Sequence, residues 1–356
     1  MLRKKMSVPI NTALCSFGMS GLVFHAPFIS SNPHFNLYAV WERTKYIASQ
    51  KYPGIQTYKT LESMLADELV ELVIVNTPNY THFDYTKQAL LAGKHVIVEK
   101  PFTVTVKEGE ELISIAKKVN KKLSVFQNRR FDSDYKTVRK VIDQNLLGDL
   151  VEMEIHFDRF KEELSPKTHK ETPVPGSGSL YDLGAHIIDQ SLQLFGMPDK
   201  IFADIQTVRP QSKVDDQWEL LLYYDNFRVR LKSSYLVRES IPGYILNGVN
   251  GSFLKARTDI QEIMLQKGEI PSGENWGTEP EEQMGLLHTK IEDKIIRTFL
   301  KSEKGNYNDY YDGIYQAIRN DQTLPVTAEE GVDVIKIIEA AYKSKEKGCV
   351  IKLERN

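Results

Sequence analysis

Apolar positions in the first third of the chain alternate between short β-rich runs and stretches of helical period. Ile10 to Phe17 reads as a first strand, Gly18 to Gly21 as a tight turn, and Leu22 to Ser30 as a helix. Asn36 to Trp41 is a second strand, with helices at Thr44 to Lys51 and Leu61 to Asp67. Glu71 to Asn76 is an almost unbroken apolar run, as expected of a strand buried on both faces. A helix over Thr81 to Ala92 ends at Gly93 and leads into a strand at His95 to Val98. Lys107 to Asn120 and Leu123 to Phe126 add one more helix and strand. This alternation predicts a doubly wound α/β sheet with parallel strands.

After Gln127 the pattern changes, and a domain boundary is placed there, giving residues 1–126 and 127–356. A helix (Asp134 to Asn145) and a strand (Val151 to Phe160) precede a loop punctuated by Pro166, Pro173, Pro175, Gly176 and Gly178. Ile201 to Leu265 is rich in β-formers, with close turns at Asp225-Asn226, Pro242-Gly243 and Asn250-Gly251, which predicts an antiparallel meander. Thr327 to Lys347 carries Val332, Ile335, Ile338 and Ala341 on one stripe and reads as a packing helix, followed by a short strand at Val350 to Leu353. The second half is therefore expected to be an α+β domain on a large, mainly antiparallel open sheet.

Charge narrows the classes of function. With 46 Lys+Arg against 48 Asp+Glu, the net charge of -2 leaves no basic excess for a nucleic-acid backbone. Apolar runs such as Leu37 to Trp41 and Leu220 to Tyr224 fall far short of the ~20 residues that cross a bilayer. Two cysteines, Cys15 and Cys349, make neither a disulfide framework nor a four-cysteine metal site, and suit a reducing, cytoplasmic setting. The basic start, Met1 to Lys5, is followed by a glycine-punctuated strand and turn rather than an apolar export segment.

Three segments carry candidate chemistry. Ser16-Phe17-Gly18-Met19-Ser20-Gly21 joins the first strand to its helix, where glycines admit a pyrophosphate close to the backbone at a helix N-terminus. Ser16 stands where the dinucleotide fingerprint has its first glycine. Glu42, at the end of the second strand, is placed to accept from an adenosine ribose, which favours NAD, whereas Arg43 could bind the 2′-phosphate of NADP; the reading favours NAD. Glu99-Lys100-Pro101 closes a buried strand, and a lysine beyond the carboxyl end of such a strand points into the cleft. Read as a helix from about Leu180, the third segment puts Asp182, His186 and Asp189 on one face. His186 is either a buried histidine satisfied by one of these carboxylates or, with a cofactor, a proton acceptor for a hydroxyl losing hydride. No metal is expected, because neither a His-Glu-x-x-His pattern nor a Cys pair is present.

Together these segments resemble the Gfo/Idh/MocA oxidoreductases over almost the whole chain, and in particular the branch that contains NAD(P)-dependent scyllo-inositol dehydrogenases. Further matches are Val23-Phe24-His25-Ala26-Pro27, Asn76-Thr77-Pro78 with His82, Gln127-Asn128-Arg129-Arg130, and Asn275-Trp276-Gly277. The resemblance implies an N-terminal Rossmann domain and a C-terminal domain whose open sheet makes a homodimer or homotetramer. It implies catalytic roles for Lys100, Asp182 and His186. Asn76, Thr77, Pro78, His82 and Glu99 join the cofactor side, and Asn128, Arg129 and Trp276 the substrate side.

The resulting expectation is hydride transfer between a nicotinamide and a secondary hydroxyl of a sugar or cyclitol. His186 takes the proton, Lys100 donates to the oxygen, and Asp182 orients both. The competing expectation is a dinucleotide-bound sensor without turnover. The punctuated loop from Pro166 to Gly178 is either a rim over the cleft that brings His169 and Lys170 to the substrate or a passive surface connection.

Overall fold

The computed structural model describes residues 8–44, 46–258 and 260–354, without the side chains of 168 and 169. Met1 to Lys5, Lys45 and the side chain of His169 lie outside the described residues.

Six strands form the first sheet: β1 (Ile10–Leu14), β2 (Phe35–Trp41), β3 (Gln56–Tyr58), β4 (Leu72–Val75), β5 (His95–Glu99) and β6 (Leu123–Phe126). All neighbours pair in parallel in the order β3-β2-β1-β4-β5-β6. Strand order reverses between β1 and β4, so their carboxyl ends open a crevice at the topological switch point. The sequence pattern predicts five of these strands. The sixth, β3, is three residues at the sheet edge, too short to leave a hydrophobic period.

The second sheet holds β7 (Leu150–His156), β8 (Lys200–Gln206), β9 (Gln217–Tyr223), β10 (Arg228–Ser234), β11 (Tyr244–Gly248), β12 (Gly251–Lys255), β13 (Gly285–Ile291), β14 (Lys294–Leu300) and β15 (Ile351–Lys352), ordered β14-β13-β12-β11-β7-β10-β9-β8-β15. β8 alternates exposed and buried along its whole length, so one face of the sheet is packed and the other open. The meander is interrupted where the earlier β7 inserts between β10 and β11, parallel to the first and antiparallel to the second. Pro242-Gly243 therefore leads into β11 and does not close a hairpin. The end of the expected strand-rich stretch, Ile260–Gln266, is helical.

Helices Ala185–Phe195 and Ala328–Lys347 pack in the core of the second sheet through Ile187, Ile188, Ile335 and Ile338. A capping box of Thr327 and Glu330 fixes where the longer helix starts. The helix Asn308–Asn320, not anticipated from the sequence, returns to the first sheet. Its Tyr311 stacks on Phe28 with ring centroids 5.4 Å apart, and Tyr310 meets Phe126 edge-on at 5.0 Å. Leu265, Trp276, Tyr307 and Val332 belong to the same apolar core as Ile10, Leu14 and Val73. Late segments of the chain thus complete the core under the first sheet and fix one set of strand ends against the other domain. Among the described residues no helix is long and apolar enough to cross a membrane.

Candidate active site

The loop after β1 is built on Ser16 and Asn76. The Ser16 amide donates to Asn76 Oδ1 (3.0 Å), Asn76 Nδ2 donates to the Ser16 carbonyl (2.9 Å), and Ser16 Oγ donates to the Asn76 carbonyl (2.8 Å). A Cβ on Gly21 would lie 2.5 Å from the Ser16 carbonyl oxygen and 2.9 Å from Asn76 Nδ2, so the helix can approach this pair only with glycine. A Cβ on Gly18 would meet nothing within 4 Å. That open space at the start of a helix is a cradle of the kind a pyrophosphate fills, and the residues present fit a dinucleotide. Met19 is 46% exposed beside it.

The first turn of the helix, Gly21–His25, is a π-turn continuing into Ala26–Ser31. It turns His25 inward, where Nε2 lies 3.0 Å from Glu99 Oε1 and Nδ1 lies 2.9 Å from the Tyr311 hydroxyl. Ser20 Oγ also donates to Glu99 Oε1, and the Lys100 amide donates to Glu99 Oε2 at 3.2 Å. Burial alone would push the Glu99 carboxyl up, but the bonds from His25 and Ser20 hold it below the ordinary carboxylate range. Glu99 is expected at the cofactor from the sequence. In the structure its carboxylate is engaged by the protein and ties the loop after β1 to the start of the Lys100 turn.

Glu42 is likewise redirected. It is 7% exposed, and its two oxygens accept from the amides of Ile47 (3.1 Å) and Ala48 (3.0 Å), capping the helix Ile47–Lys51. A ribose acceptor and a helix cap are the same letter at the same strand end, which is why the sequence pattern does not separate them. Arg43 is exposed. His82 spans two strand ends, with Nδ1 2.8 Å from the Pro101 carbonyl and Nε2 3.0 Å from the Thr77 carbonyl, and burial holds its pKa below the usual imidazole value. Thr77 Oγ1 lies 2.6 Å from Thr81 Oγ1, and Asn79, just after Pro78, donates to the Gly176 carbonyl. The punctuated loop therefore reaches across to the first domain.

Asp182 stands in a second π-turn, Leu180–Gly184, immediately before the helix that carries His186. π-turns recur at functional sites because they rotate side chains out of helical phase. Here the turn shifts the phase of Asp182 relative to the helix that follows, while Asp189, within that helix, makes a bidentate pair with Arg130, Nε to Oδ2 at 2.8 Å and Nη2 to Oδ1 at 2.6 Å. Asp182 instead lies between two lysines. Lys100 Nζ donates to its carbonyl (2.6 Å) and to Oδ1 (3.0 Å), and Lys170 Nζ donates to Oδ2 (2.6 Å). Burial would raise the Asp182 carboxyl, but the two ammonium groups hold it well below the usual carboxylate range. Neither carboxylate bonds to His186. Its Nδ1 is buried without a hydrogen-bond partner among the described residues, and burial together with Lys100, Arg129 and Arg257 holds the imidazole well below its usual pKa, against the opposing pull of Asp182.

Lys170 sits on the short helix Thr168–Glu171, anchored by Arg209, which donates from Nη2 to Glu171 (3.2 Å) and from Nη1 to the Glu163 carbonyl (2.9 Å). On the other side, Asn128 and Arg129 follow β6, and Arg129 pairs with Asp132 (3.2 Å) and Glu262 (2.8 Å). Trp276 is not brought to this cluster. It is 3% exposed, its indole N–H donates to Gln261 (3.1 Å), and its ring meets Phe28 at 6.2 Å. The structure places Trp276, expected on the substrate side, in the apolar core, where a large ring with one satisfied donor is stable. Phe157 packs beside His186 and gathers Arg159, its near neighbour in sequence, and Arg257, about 100 residues later; no sequence motif joins them.

Residues 10–127 match the family profile described as an oxidoreductase family with an NAD-binding Rossmann fold, and residues 139–353 match that family's C-terminal alpha/beta domain. The chain is 36% identical over 353 residues to the scyllo-inositol 2-dehydrogenase (NADP(+)) IolW of Bacillus subtilis, covering 99% of this chain and 98% of the relative. A crystallised protein from Bacteroides fragilis superposes with a TM-score of 0.89 at 44% identity, over 97% of this chain and 100% of that one. The structure of YvaA from Bacillus subtilis superposes with a TM-score of 0.94 at 35% identity, over 99% and 100%. With both domains matched in order around the Ser16 loop, Lys100 and His186, the chain belongs to the Gfo/Idh/MocA oxidoreductases.

Proposed function

We propose that this protein is a nicotinamide-dependent dehydrogenase acting on a secondary hydroxyl of a sugar or cyclitol. The observation that carries the reading is the cluster of Lys100, Asp182 and Lys170 beside His186, with the Glu99-Lys100 turn linking it to the phosphate loop. A bound nicotinamide dinucleotide supplies the hydride acceptor or donor. The chain supplies the proton chemistry. In oxidation the substrate C–H bond gives up a hydride and its O–H proton passes to His186, which is neutral at physiological pH because its pKa is held low. Lys100 donates to the oxygen as the carbonyl forms, and Asp182 holds both ammonium groups in place. Lys170, on the anchored loop, closes the substrate side.

The role of Glu42 as a helix cap supports NADP over NAD. A capped, buried carboxylate is a poor ribose acceptor and repels a 2′-phosphate less than a free one would, while Arg43 stays available to bind that phosphate. The NADP(+) dependence in the name of the relative IolW points the same way.

The open face of the second sheet supports assembly with a second copy of the chain. Strand register aligns Phe202, Leu221, Arg230, Glu154, Ile245, Leu254, Leu286 and Phe299 in one row across eight strands. Arg230 and Glu154 pair at 3.0 Å in the middle, and Phe299 and Phe202 are 62% and 38% exposed near the ends. A row of this composition is self-complementary under two-fold rotation.

Screening the purified chain against polyols and aldoses with NAD and with NADP, following absorbance of the reduced cofactor, tests the activity. Turnover lost in Lys100→Met supports the reading. Tight dinucleotide binding with no turnover across the panel would make the protein a sensor.

A further inference from the structure

The imidazole of His186 packs against Phe157 with ring centroids 6.0 Å apart. Three guanidinium groups converge on that same phenyl ring: Arg257 at 4.6 Å, Arg129 at 5.4 Å and Arg159 at 5.4 Å from its centroid. Arg129 is neutralised by Asp132 and Glu262. The other two have no such partners. Arg159 is exposed, and no carboxylate among the described residues lies within ion-pair distance of its guanidinium or that of Arg257. Arg257 donates from Nε to the His156 carbonyl at 3.0 Å, but Nη1 and Nη2 are buried with no hydrogen-bond partner.

Buried donors without acceptors are costly, and a guanidinium more so than a neutral amide. What holds Arg257 in place is aromatic: it lies between Phe157 and the Tyr244 ring, 4.7 Å away. Stacking fixes the plane of a guanidinium without using its N–H groups. The result is an oriented, desolvated cation beside the candidate proton acceptor, with four N–H bonds unspent on its two amino nitrogens. A neutral polyol offers hydroxyls, which leave this charge uncompensated. A carboxylate or phosphate matches both the charge and the fork geometry.

We infer that the substrate of this site is an anion, a polyhydroxylated ring or chain carrying a carboxylate or phosphate that Arg159 and Arg257 receive while a secondary hydroxyl faces Lys100 and His186. The inference rests on the dehydrogenase reading for the hydroxyl, and adds the class of substrate. Arg159 meets the anion at the surface. Arg257 meets it deeper in, from its place between Phe157 and Tyr244.

The test uses sets that share one ring: glucose, glucuronate and glucose 6-phosphate, and galactose with galacturonate, each with both dinucleotides. A charged member is expected to exceed its neutral partner at least tenfold in kcat/KM, and the preferred member separates carboxylate from phosphate. In Arg257→Met the charged-over-neutral preference should fall at least tenfold through KM, with Arg257→Lys retaining part of it; Arg159→Ala, at an exposed position, gives a second variant that keeps the fold. Preference for the neutral partner, or an unchanged preference in both Arg257→Met and Arg159→Ala, would overturn the inference. Calorimetric binding of the same acids separates this from the dehydrogenase reading. Acid binding that depends on Arg257 without turnover keeps the anion site and removes the dehydrogenase; turnover of neutral polyols with no acid binding does the reverse.

Discussion

Ser16 is held to Asn76 through both backbone and side chain, so the residue that departs from the glycine fingerprint is also the one that joins β1 to β4 at the switch point. The serine hydroxyl takes up a carbonyl that a glycine would leave unpaired. Ser16→Gly should therefore weaken dinucleotide binding, although it restores the fingerprint. Asn76→Ala removes the partners of the Ser16 amide and carbonyl, at a cost of about 1–3 kcal/mol for each group left unsatisfied. Thermal melting should drop, and fluorescence titration should show at least tenfold weaker binding. Tighter binding by Ser16→Gly would show that the hydroxyl does not stabilise the loop.

The two neighbours at the end of β2 should separate in their effects. Glu42→Ala removes a helix cap, worth ~1 kcal/mol, and should lower stability while shifting NAD and NADP affinity alike. Arg43→Ala should weaken NADP at least fivefold more than NAD. A loss confined to NAD in Glu42→Ala would return that carboxylate to the ribose.

At the proton-handling cluster, Lys100→Met and His186→Ala should each reduce kcat on the order of 10²-fold, the scale of a positioned acid-base group, while dinucleotide affinity changes little. Asp182→Asn keeps its size but releases both lysines, so kcat should fall and substrate KM rise together. Because His186 is held below the usual imidazole range, the oxidation rate should stay level as pH falls through about 6.5 and decline only in more acidic buffer. With Lys100 and Asp182 coupled to it, the apparent pKa belongs to the cluster. Full activity in His186→Ala would remove it as the acceptor.

What could be read from the sequence divides along a physical line. Ser16 to Gly21, Lys100, Asp182 and His186 are legible because their types and places, at a strand end or in a helix turn, already limit what they can do. Glu42 and Glu99 are legible as acids at strand ends but not as acids already bonded, since hydrogen-bond partners such as Ala48 and His25 are set by local turns. Asp189 shares helical spacing with His186, yet a partner distant in sequence, Arg130, decides what it bonds. Trp276 and the helix Asn308–Asn320 complete a core begun at Ile10, and periodicity holds no information on which sheet a helix will cover. Arg257 is illegible for the same reason.

Acid should destabilise the fold through its histidines. Burial holds His82 and His186 below the usual imidazole value and pushes His95 down to about 4. Between about pH 6.5 and those folded values the unfolded chain binds more protons, so stability is full above pH 6.5 and is lost as pH falls. His156 works in the opposite sense. Although buried, it is raised by Asp158 and Glu154, so its contribution is full below pH 6.5 and is lost as pH rises through its folded value. These three histidines outweigh His156, while the buried carboxyls of Asp189, Asp215 and Glu279, pushed up by burial, regain stability as pH falls. The histidine part is read as a difference: the loss of melting temperature from pH 7.5 to 4.5 should be smaller in His95→Gln than in the wild type, and an identical profile in the two would contradict this assignment.

The row of residues across the open sheet face makes the last expectation the most visible in solution. Ile295 and Phe299 are 77% and 62% exposed and lie on the same side of β14, spaced by four residues along the strand. Left in water, these side chains add nothing to the stability of a single chain; covered by a second copy, each contributes about 1.5–3 kcal/mol of apolar burial. The central Arg230 and Glu154 pair is already satisfied within one chain, so it fits a two-fold contact without demanding a charged partner. Light scattering on the purified chain should give a dimer or tetramer. Phe299→Asp should lower the mass toward the monomer, because the charge would be buried in the contact, while dinucleotide binding, which rests on the loop after β1 of the other sheet, is retained. A monomeric wild type, or an unaltered oligomer in Phe299→Asp together with Phe202→Asp, would show that the open face is not the interface.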